Sequence, residues 1–343
     1  MTDRPSEPPS GRGLRPETTR RAVVAGGLAL GAAAVIGAAV RASGPTVWPD
    51  RPVRLIVPYP AGGSVDLLTR ILAEKLEARF GQPFVIENKP GAAGNIGVAA
   101  LAASPADGYS VAAATVGHFA INPFIAAQAA PDPERDFAPV SLVWELPNVF
   151  AVPGRLPVET LADFVGWAKR QGRLAFGSSG VGTSTHLFPT LFAARAGLDA
   201  AHVPFRGAAQ TIPAMLAGDV AFTIDNLTSY MSYIEGGQVR PLAVTGTQRW
   251  PGLPDVPTMA ECGWPDFAMT SWAAFVVPMG TPPAIVGRLA AALRDIAADP
   301  AVRDRFATVG ARALASTPEE VAARAAQERP IWRETVRLAG LAG

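Results

Sequence analysis

The order of apolar and polar residues along the chain predicts alternating strands and helices. Residues 53–57 (VRLIV) form an apolar run that predicts a β-strand, and a loop rich in proline and glycine follows. A helix is then predicted from Ser64, a candidate N-cap, to Phe80, with Gly81 as its stop. Leucine and isoleucine recur at helical spacing in this segment, which indicates one buried face.

The same alternation continues to the C-terminus. Further strands are predicted at 84–86, 109–114, 174–176, 202–204, 220–224, 242–244 and 272–277, and helices at 92–103, 160–170 and 185–196. Thr281 caps a predicted helix with Pro282 at its first position, and Thr317-Pro-Glu-Glu320 is a capping box that opens the last helix. This alternation predicts an α/β fold with a mainly parallel sheet and helices on both faces. Because the pattern starts again after Val149, two lobes are the simplest domain arrangement.

The first 42 residues have the pattern of an export signal. Residues 1–21 are polar and net positive and end in Arg20-Arg21, and residues 22–40 carry no charge. A twin arginine before a run rich in glycine and alanine resembles the twin-arginine signal, with the general secretory route as the alternative. Small residues before Ser43 predict cleavage there and a periplasmic mature protein. A retained anchor is the other interpretation, since the uncharged run is just long enough to span a bilayer.

Composition and charge exclude several classes of protein. The chain of 343 residues is 49% hydrophobic and has a formal net charge of +1, which argues against a nucleic-acid-binding surface. Cys262 is the only cysteine, so an internal disulfide, a cysteine zinc cluster and an iron–sulfur centre are excluded. Dinucleotide and P-loop glycine patterns are absent. We therefore expect no cofactor and no metal.

The motifs of hydrolytic enzymes are incomplete. The segment closest to a nucleophile elbow, Gly177-Ser-Ser-Gly-Val181, lacks the final glycine. The three histidines, His118, His186 and His202, have no spacing that recommends a metal site or a triad. An exported hydrolase with a Ser-His-acid triad stays an alternative hypothesis.

Two loops rich in glycine and hydroxyl residues carry the strongest functional signal. Residues 60–66 (PAGGSVD) and 177–184 (GSSGVGTS) each join a predicted strand to a predicted helix. Free backbone amides and the helix dipole at such a junction favour an anion, and glycine permits its close approach. Each loop taken alone is better explained as an ordinary tight turn. Facing each other across two lobes, they would form a clamp for a small carboxylate.

A series of motifs in order along residues 47–340 resembles the Bug family, the extracytoplasmic receptors of tripartite tricarboxylate transporters. The matching segments include Trp48–Val57 (WPDRPVRLIV), 60–66, Glu87–Gly97 (ENKPGAAGNIG), Pro105–Tyr109 (PADGY), Asp136–Ser141 (DFAPVS), Ser178–His186 (SSGVGTSTH), Val203–Gly207 (VPFRG) and Leu253–Thr258 (LPDVPT). Phe205-Arg206 stands where the family more often has Tyr-Lys.

The resemblance implies a periplasmic-binding-protein fold of type II, with a ligand cleft between two α/β lobes. We expect a signal peptide at 1–42, a first lobe from 43–148 plus 269–343, and a second lobe at 149–268. Such a receptor performs no chemistry. It presents a small carboxylate, such as a di- or tricarboxylate, an amino acid or an aromatic acid, to a permease with large and small integral subunits. A monomer is expected, and a sensor domain with the same fold is the alternative.

The resemblance also implies a set of ligand-binding residues. They are Tyr59, Ala61, Gly62, Gly63 and Asp66 in the first loop, Thr115 and His118 after the third strand, Ser178, Ser179, Gly180, Gly182, Thr183 and His186 in the second loop, and Asp225. Glycine and alanine would offer amides, serine and threonine hydroxyls, and Asp225 an acceptor for an amine or hydroxyl of the ligand. The alternatives are a structural Asp66 at a helix N-terminus and a His186 that hydrogen-bonds the loop.

Overall fold

Strands and helices alternate in the computed structural model, which describes residues 48–125 and 130–342. The predicted signal peptide, 1–42, lies outside the described residues. The strands are β1 (Val53–Val57), β2 (Phe84–Asn88), β3 (Ser110–Thr115), β4 (Phe137–Pro153), β5 (Leu174–Ser178), β6 (Ala200–Pro204), β7 (Thr223–Asn226), β8 (Val239–Val244), β9 (Thr270–Pro278) and β10 (Arg312–Ala313). The helices are α1 (Ser64–Phe80), α2 (Asn95–Ala102), α3 (Leu161–Gln171), α4 (Ser184–Ala196), α5 (Ala208–Ala217), α6 (Leu227–Glu235), α7 (Pro283–Ala298), α8 (Pro300–Thr308) and α9 (Pro318–Leu338). No described helix is both long and apolar enough to cross a bilayer.

One strand, β4, belongs to both halves of the sheet. Its residues 137–147 pair with β9, whose other neighbour is β3, and the order continues through β1 to β2. From Asn148 onwards β4 pairs instead with β7 and β8. β5 and β6 lie beside this second half, joined to it by a bridge between Phe176 and Phe222. The backbone therefore divides into two α/β halves that share β4, while the predicted lobe boundaries at 148 and 269 stay predictions.

The sheet is mixed rather than mainly parallel. β1 pairs in parallel with β2 and β3, and β5 pairs in parallel with β6. All pairs made by β4 and β9 are antiparallel. The prediction was wrong here because the sequence pattern does not reveal β4, which contains Pro139, Pro147 and Pro153. Proline removes a ladder hydrogen bond and normally argues against a strand. In β4, Pro139 lies at the register shift between residues 139 and 141. Pro147 lies at the position where the pairing with β9 ends and the partners of the strand change.

Several helix starts differ from their predictions. Gly63, not Ser64, is the N-cap of α1, and the Ser64 hydroxyl accepts a hydrogen bond from Asn226 instead. The predicted helix 92–103 is a short 3₁₀ turn followed by α2. Pro282, not Thr281, precedes the first residue of α7. The capping box of α9 is confirmed, since Thr317 and Glu320 bond each other's backbone amides.

An aromatic cluster fills the interior of the second half. Phe150 of β4 is fully buried, and its ring centroid lies 5.0 Å from that of Phe164, 4.9 Å from that of Phe192 and 5.3 Å from that of Phe222. These rings come from β4, α3, α4 and the segment before β7, so they join the sheet to the helices on one of its faces. Their burial stabilises the elements that carry the second glycine-rich loop.

We expect Phe150→Ala to lower the free energy of unfolding by about 3–5 kcal/mol, because it removes buried aromatic surface and leaves a cavity. Urea denaturation followed by circular dichroism measures this loss. Ile331→Ala on α9 is the matched control, since that side chain is 43% exposed, and should change stability by less than about 1 kcal/mol. A similar loss in both variants would contradict the assignment of Phe150 to the core.

Candidate functional site

A cleft of about 370 Å³ lies where several strands end and several helices begin. Its wall includes the first residues of α1, α4 and α5, and the β7–α6 junction. Trp144, Leu146 and Trp272 from β4 and β9 supply an apolar side. A second chamber of about 460 Å³ shares Tyr59 and Arg206 with the first. In α/β sheets, ligands bind beyond the carboxyl ends of the strands, and this cleft lies at such a position.

The structure brings most of the predicted residues together around this cavity. Tyr59, Ala61, Gly63, Thr115, Ser179, Thr183 and Asp225 line the inner cleft, and Gly180 lines the second chamber. Gly62, Asp66, His118, Ser178, Gly182 and His186 do not line either space. These six residues are better explained as supports for the loops that line the cavity. Their direct contact with a ligand stays a prediction.

Asp66 holds the first loop from behind. It is 2% exposed, and its carboxylate accepts hydrogen bonds from the Gly62 amide, Arg70 Nε and Asn88 Nδ2, each at 2.9 Å. Burial alone would raise the pKa of Asp66, but these donors outweigh it and lower the pKa below its ordinary value. The ionised carboxylate therefore holds the 60–66 loop through its hydrogen bond with the Gly62 amide.

Tyr59 and His118 both contact Thr115, the last residue of β3. The Tyr59 hydroxyl lies 3.0 Å from Thr115 Oγ1, and His118 Nδ1 accepts from the Thr115 amide at 2.9 Å. Burial raises the pKa of Tyr59 to about 12 and lowers that of His118 to about 4, so both are neutral near pH 7. A Cβ on Gly94, whose φ is +93°, would collide with the His118 ring. Glycine is required there for both reasons.

Two stacked histidines support the second loop. The rings of His186 and His202 lie 3.7 Å apart, centroid to centroid. His202 Nε2 hydrogen-bonds Ser178 Oγ at 2.6 Å, and His186 Nδ1 accepts from the Gly182 amide at 3.2 Å. Burial lowers the pKa of His186 to about 3, helped by the neighbouring His202, and that of His202 to about 4. Both rings are neutral near pH 7 and hold the turn on which Ser179 and Thr183 face the cleft.

This Ser178–His202 pair does not form a catalytic triad. Ser178 is fully buried and does not line the cleft. Within residues 48–125 and 130–342, neither His186 nor His202 hydrogen-bonds a carboxylate. A triad needs an exposed nucleophile and an acid behind the base. The arrangement is therefore structural.

Asp225 is the acidic residue in the cleft wall. It is 1% exposed; Oδ1 accepts from the Asn226 amide at 2.6 Å and Oδ2 from Ser179 Oγ at 3.4 Å. Burial raises the pKa of Asp225 to about 6, because two neutral donors compensate only part of the desolvation of the charged form.

The helices that begin at the cleft have no side-chain caps. The N-caps of α1, α4, α5 and α6 are Gly63, Thr183, Gly207 and Asn226, and none accepts a hydrogen bond from the first turn. Away from the cleft, α3, α8 and α9 each have a capping side chain, whereas α7 has none. The first amides of a helix need a partner from outside the helix. At the cleft these amides are open to an anion.

Other cleft residues lacked a signal in the sequence. The first turn of α5 and the wall from β4 and β9 line the cavity, but neither α5 nor β4 was predicted. Helix α9 fixes the wall residue Trp272. Glu328 accepts from the indole nitrogens of Trp272 at 2.9 Å and Trp332 at 3.1 Å, and Arg324 bonds Thr270 beside it. The contacts of α9 with Thr270 and Trp272 join residues that are 54 and 56 positions apart in the sequence, beyond the reach of local patterns.

Comparison with known proteins assigns this arrangement to a family. Residues 68–340 match the TctC family, described as tripartite tricarboxylate transporter family receptor. BugT of Bordetella pertussis is 35% identical over 300 residues, which cover 85% of this chain and 90% of BugT. The chain belongs to the TctC family. The resemblance to Bug receptors is thereby confirmed.

Solved structures agree with the family assignment. R. palustris Rpa4515 with adipate superimposes on this TctC receptor with a TM-score of 0.83 and 35% identity, covering 86% of this chain and 99% of that one. MatC from Rhodopseudomonas palustris with bound malate gives a TM-score of 0.78 and 27% identity, covering 84% and 99%. The two-lobed periplasmic-binding fold is confirmed. Relatives and neighbours are receptors rather than enzymes, which sets the hydrolase alternative aside.

The buried histidines predict a loss of stability in acid. A histidine whose folded pKa lies below its unfolded value of 6.5 costs stability as the pH falls through that value, because only the unfolded chain takes up the proton. Between about pH 7 and pH 5, His202 should account for up to about 2 kcal/mol of lost unfolding free energy, less where solvent screens the partly buried ring. His202→Gln keeps an acceptor or donor for Ser178 but does not titrate, so its unfolding free energy should fall by a correspondingly smaller amount.

Urea titrations of both proteins at the two pH values measure this difference. Other titrating groups are present in both proteins, so their contributions to the pH dependence of stability largely cancel. Among them is Asp225, whose raised pKa increases stability as the pH falls. Equal acid sensitivity of wild type and His202→Gln would show that His202 is not held neutral by the fold.

Proposed function

We propose that this TctC receptor works in the periplasm and binds a small carboxylate in the cleft for delivery to a membrane permease with large and small integral subunits. The relatives Rpa4515 and MatC were solved with adipate and malate, both carboxylates. The family description supports a transporter partner. The export pattern of residues 1–42, which lie outside the described residues, supports the location.

The observation that carries this proposal is the group of uncapped helix N-termini. α1 comes from the first half of the fold, and α4, α5 and α6 come from the second. The backbone amides of Ser184 and Thr185 donate to no described backbone or side-chain acceptor, although both residues line the cavity. A carboxylate oxygen accepts several such bonds and is stabilised by the positive end of each helix dipole. Ser64 of α1 and Asn226, the last residue of β7, are joined by a 2.8 Å hydrogen bond, so both halves enclose the same space.

Thermal-shift measurements on residues 43–343 with a panel of carboxylates test the proposal. A ligand at about 100 times its dissociation constant adds about 2.7 kcal/mol of stability if it binds only the folded state. We expect a raised melting temperature with at least one dicarboxylate, amino acid or aromatic acid. The matched amides should give none, because they lack the negative charge. A folded protein that responds to no carboxylate would contradict the proposed ligand class.

Ser184→Pro tests the role of the helix amides directly. Ser184 is the first residue of α4, where proline suits the backbone and removes only an N–H that has no partner within the helix. The preceding Thr183 has φ −75° and ψ 159°, the extended conformation that proline requires before it. We expect carboxylate affinity to fall about tenfold or more, since a bond to a charged group contributes about 1.5–3 kcal/mol.

Ser184→Ala is the matched control, because it removes the hydroxyl and keeps the amide. Calorimetric titration with the best carboxylate from the thermal-shift panel compares the three proteins. Equal losses in both variants would assign the effect to the side chain and exclude the amide.

A further inference from the structure

The wall formed by the β7–α6 junction contains buried hydrogen-bond acceptors that are incompletely paired. An ionised Asp225 has about four acceptor positions. Its partners in the described chain are the Asn226 amide and, at the long distance of 3.4 Å, the Ser179 hydroxyl. The side-chain amide of Asn226 donates to Ser64, while its Oδ1 is buried without a hydrogen-bond partner in this part of the structure. Asn226 Oδ1 therefore lacks a donor, and the adjacent Asp225 has two donors for about four acceptor positions.

Within the described part of the chain, no cationic side chain forms an ion pair with Asp225. Among the described residues that line the inner cleft, Arg206 is the only cationic one, and it forms no ion pair with Asp225. Asp225 is nevertheless almost completely buried. A buried acceptor without a partner costs free energy, so this wall is best satisfied when a donor enters the cleft.

The carboxylate of the ligand cannot supply that donor. Two carboxylates placed side by side repel each other, whereas the open amides of α1, α4 and α5 attract an anion. Both chemistries line one cavity, with amides on the loops at 60–66 and 207–210 and an acid at the end of β7. A ligand that satisfies both has an anionic group and a donor group on one small skeleton.

We propose that Asp225 is a specificity-determining residue that selects carboxylates bearing a hydrogen-bond donor, an ammonium or a hydroxyl group, over unsubstituted carboxylates of the same length. The proposal rests on the carboxylate-binding function proposed above and narrows its ligand class. An ammonium offers three donors and a full charge to Asp225, and a hydroxyl offers one. Both can reach Asp225 while the carboxylate lies at the helix amides.

Calorimetric titration of the purified protein with matched ligand sets tests this selection. The four-carbon set is succinate, malate and aspartate, and the five-carbon set is glutarate, 2-hydroxyglutarate and glutamate. We expect a substituted member of a set to bind about tenfold or more tightly than the unsubstituted one, as hydrogen bonds to charged groups do. Preference for the amino acid identifies an ammonium at Asp225, and preference for the hydroxy acid identifies a hydroxyl.

Asp225→Asn is the decisive variant, because it keeps the shape and removes the negative charge. In it the preference should fall to within about threefold, through weaker binding of the substituted acid and equal or tighter binding of the unsubstituted one. Asp255→Asn, at an exposed position outside the cleft wall, is the control and should leave the ratio unchanged. Ser179→Ala, which removes a donor to Asp225, should keep or increase the preference and serves if Asp225→Asn does not fold.

The outcomes separate this proposal from the function on which it rests. Unsubstituted acids that bind as well as substituted ones, or an Asp225→Asn variant that weakens all members equally, would overturn the role of Asp225 and leave the carboxylate receptor intact. If neither these sets nor the carboxylate panel binds, the proposed function fails, and this inference fails with it.

Discussion

The site depends on the continuity of β4. Its 17 residues pair with β9 in the first half of the sheet and with β7 and β8 in the second. Because one strand runs through both halves, the carboxyl ends of β1, β5 and β7 are placed around the same space. Asn148, where the partners of β4 change, is fully buried and bonds both Thr245 and Ser271. These bonds tie the ends of β8 and β9 to β4 beside the cleft.

Anion recognition in such a cleft relies on the backbone rather than on charged side chains. Helix amides cannot move away or change protonation, provided that the loops carrying them are rigid. Asp66 provides that rigidity for the 60–66 loop, and the His186–His202 pair provides it for the 177–184 loop. Ionised Asp66 and neutral histidines perform the same task with different chemistry, because Asp66 is surrounded by donors whereas the histidines lie beside Phe176 and each other.

Local patterns in the sequence predicted the elements whose signals are local. β1 has the predicted bounds, α1 ends at Phe80 as predicted, α4 ends before Gly197, and α9 has its capping box. β4 was missed because its prolines are tolerated only through pairing with distant strands. Thr115, Ser179 and Asp225 were placed in the site through a family resemblance and do line the cleft. Asp66 and His186 lie behind their loops, and a sequence does not state on which side of a loop a side chain lies.

Helix amides and the Asp225 carboxylate, which both line the cleft, contribute differently to ligand specificity. Amides at helix N-termini recognise what all carboxylates share, so they give affinity with little discrimination. Discrimination requires groups that a wrong ligand leaves unsatisfied. Asp225 is such a group, since burial makes an unmatched charge there costly. Arg206 and the apolar wall of Trp144 and Trp272 bound the remaining space. Substitution at these wall positions can change the ligand while the amide clamp, and the fold that builds it, stay the same.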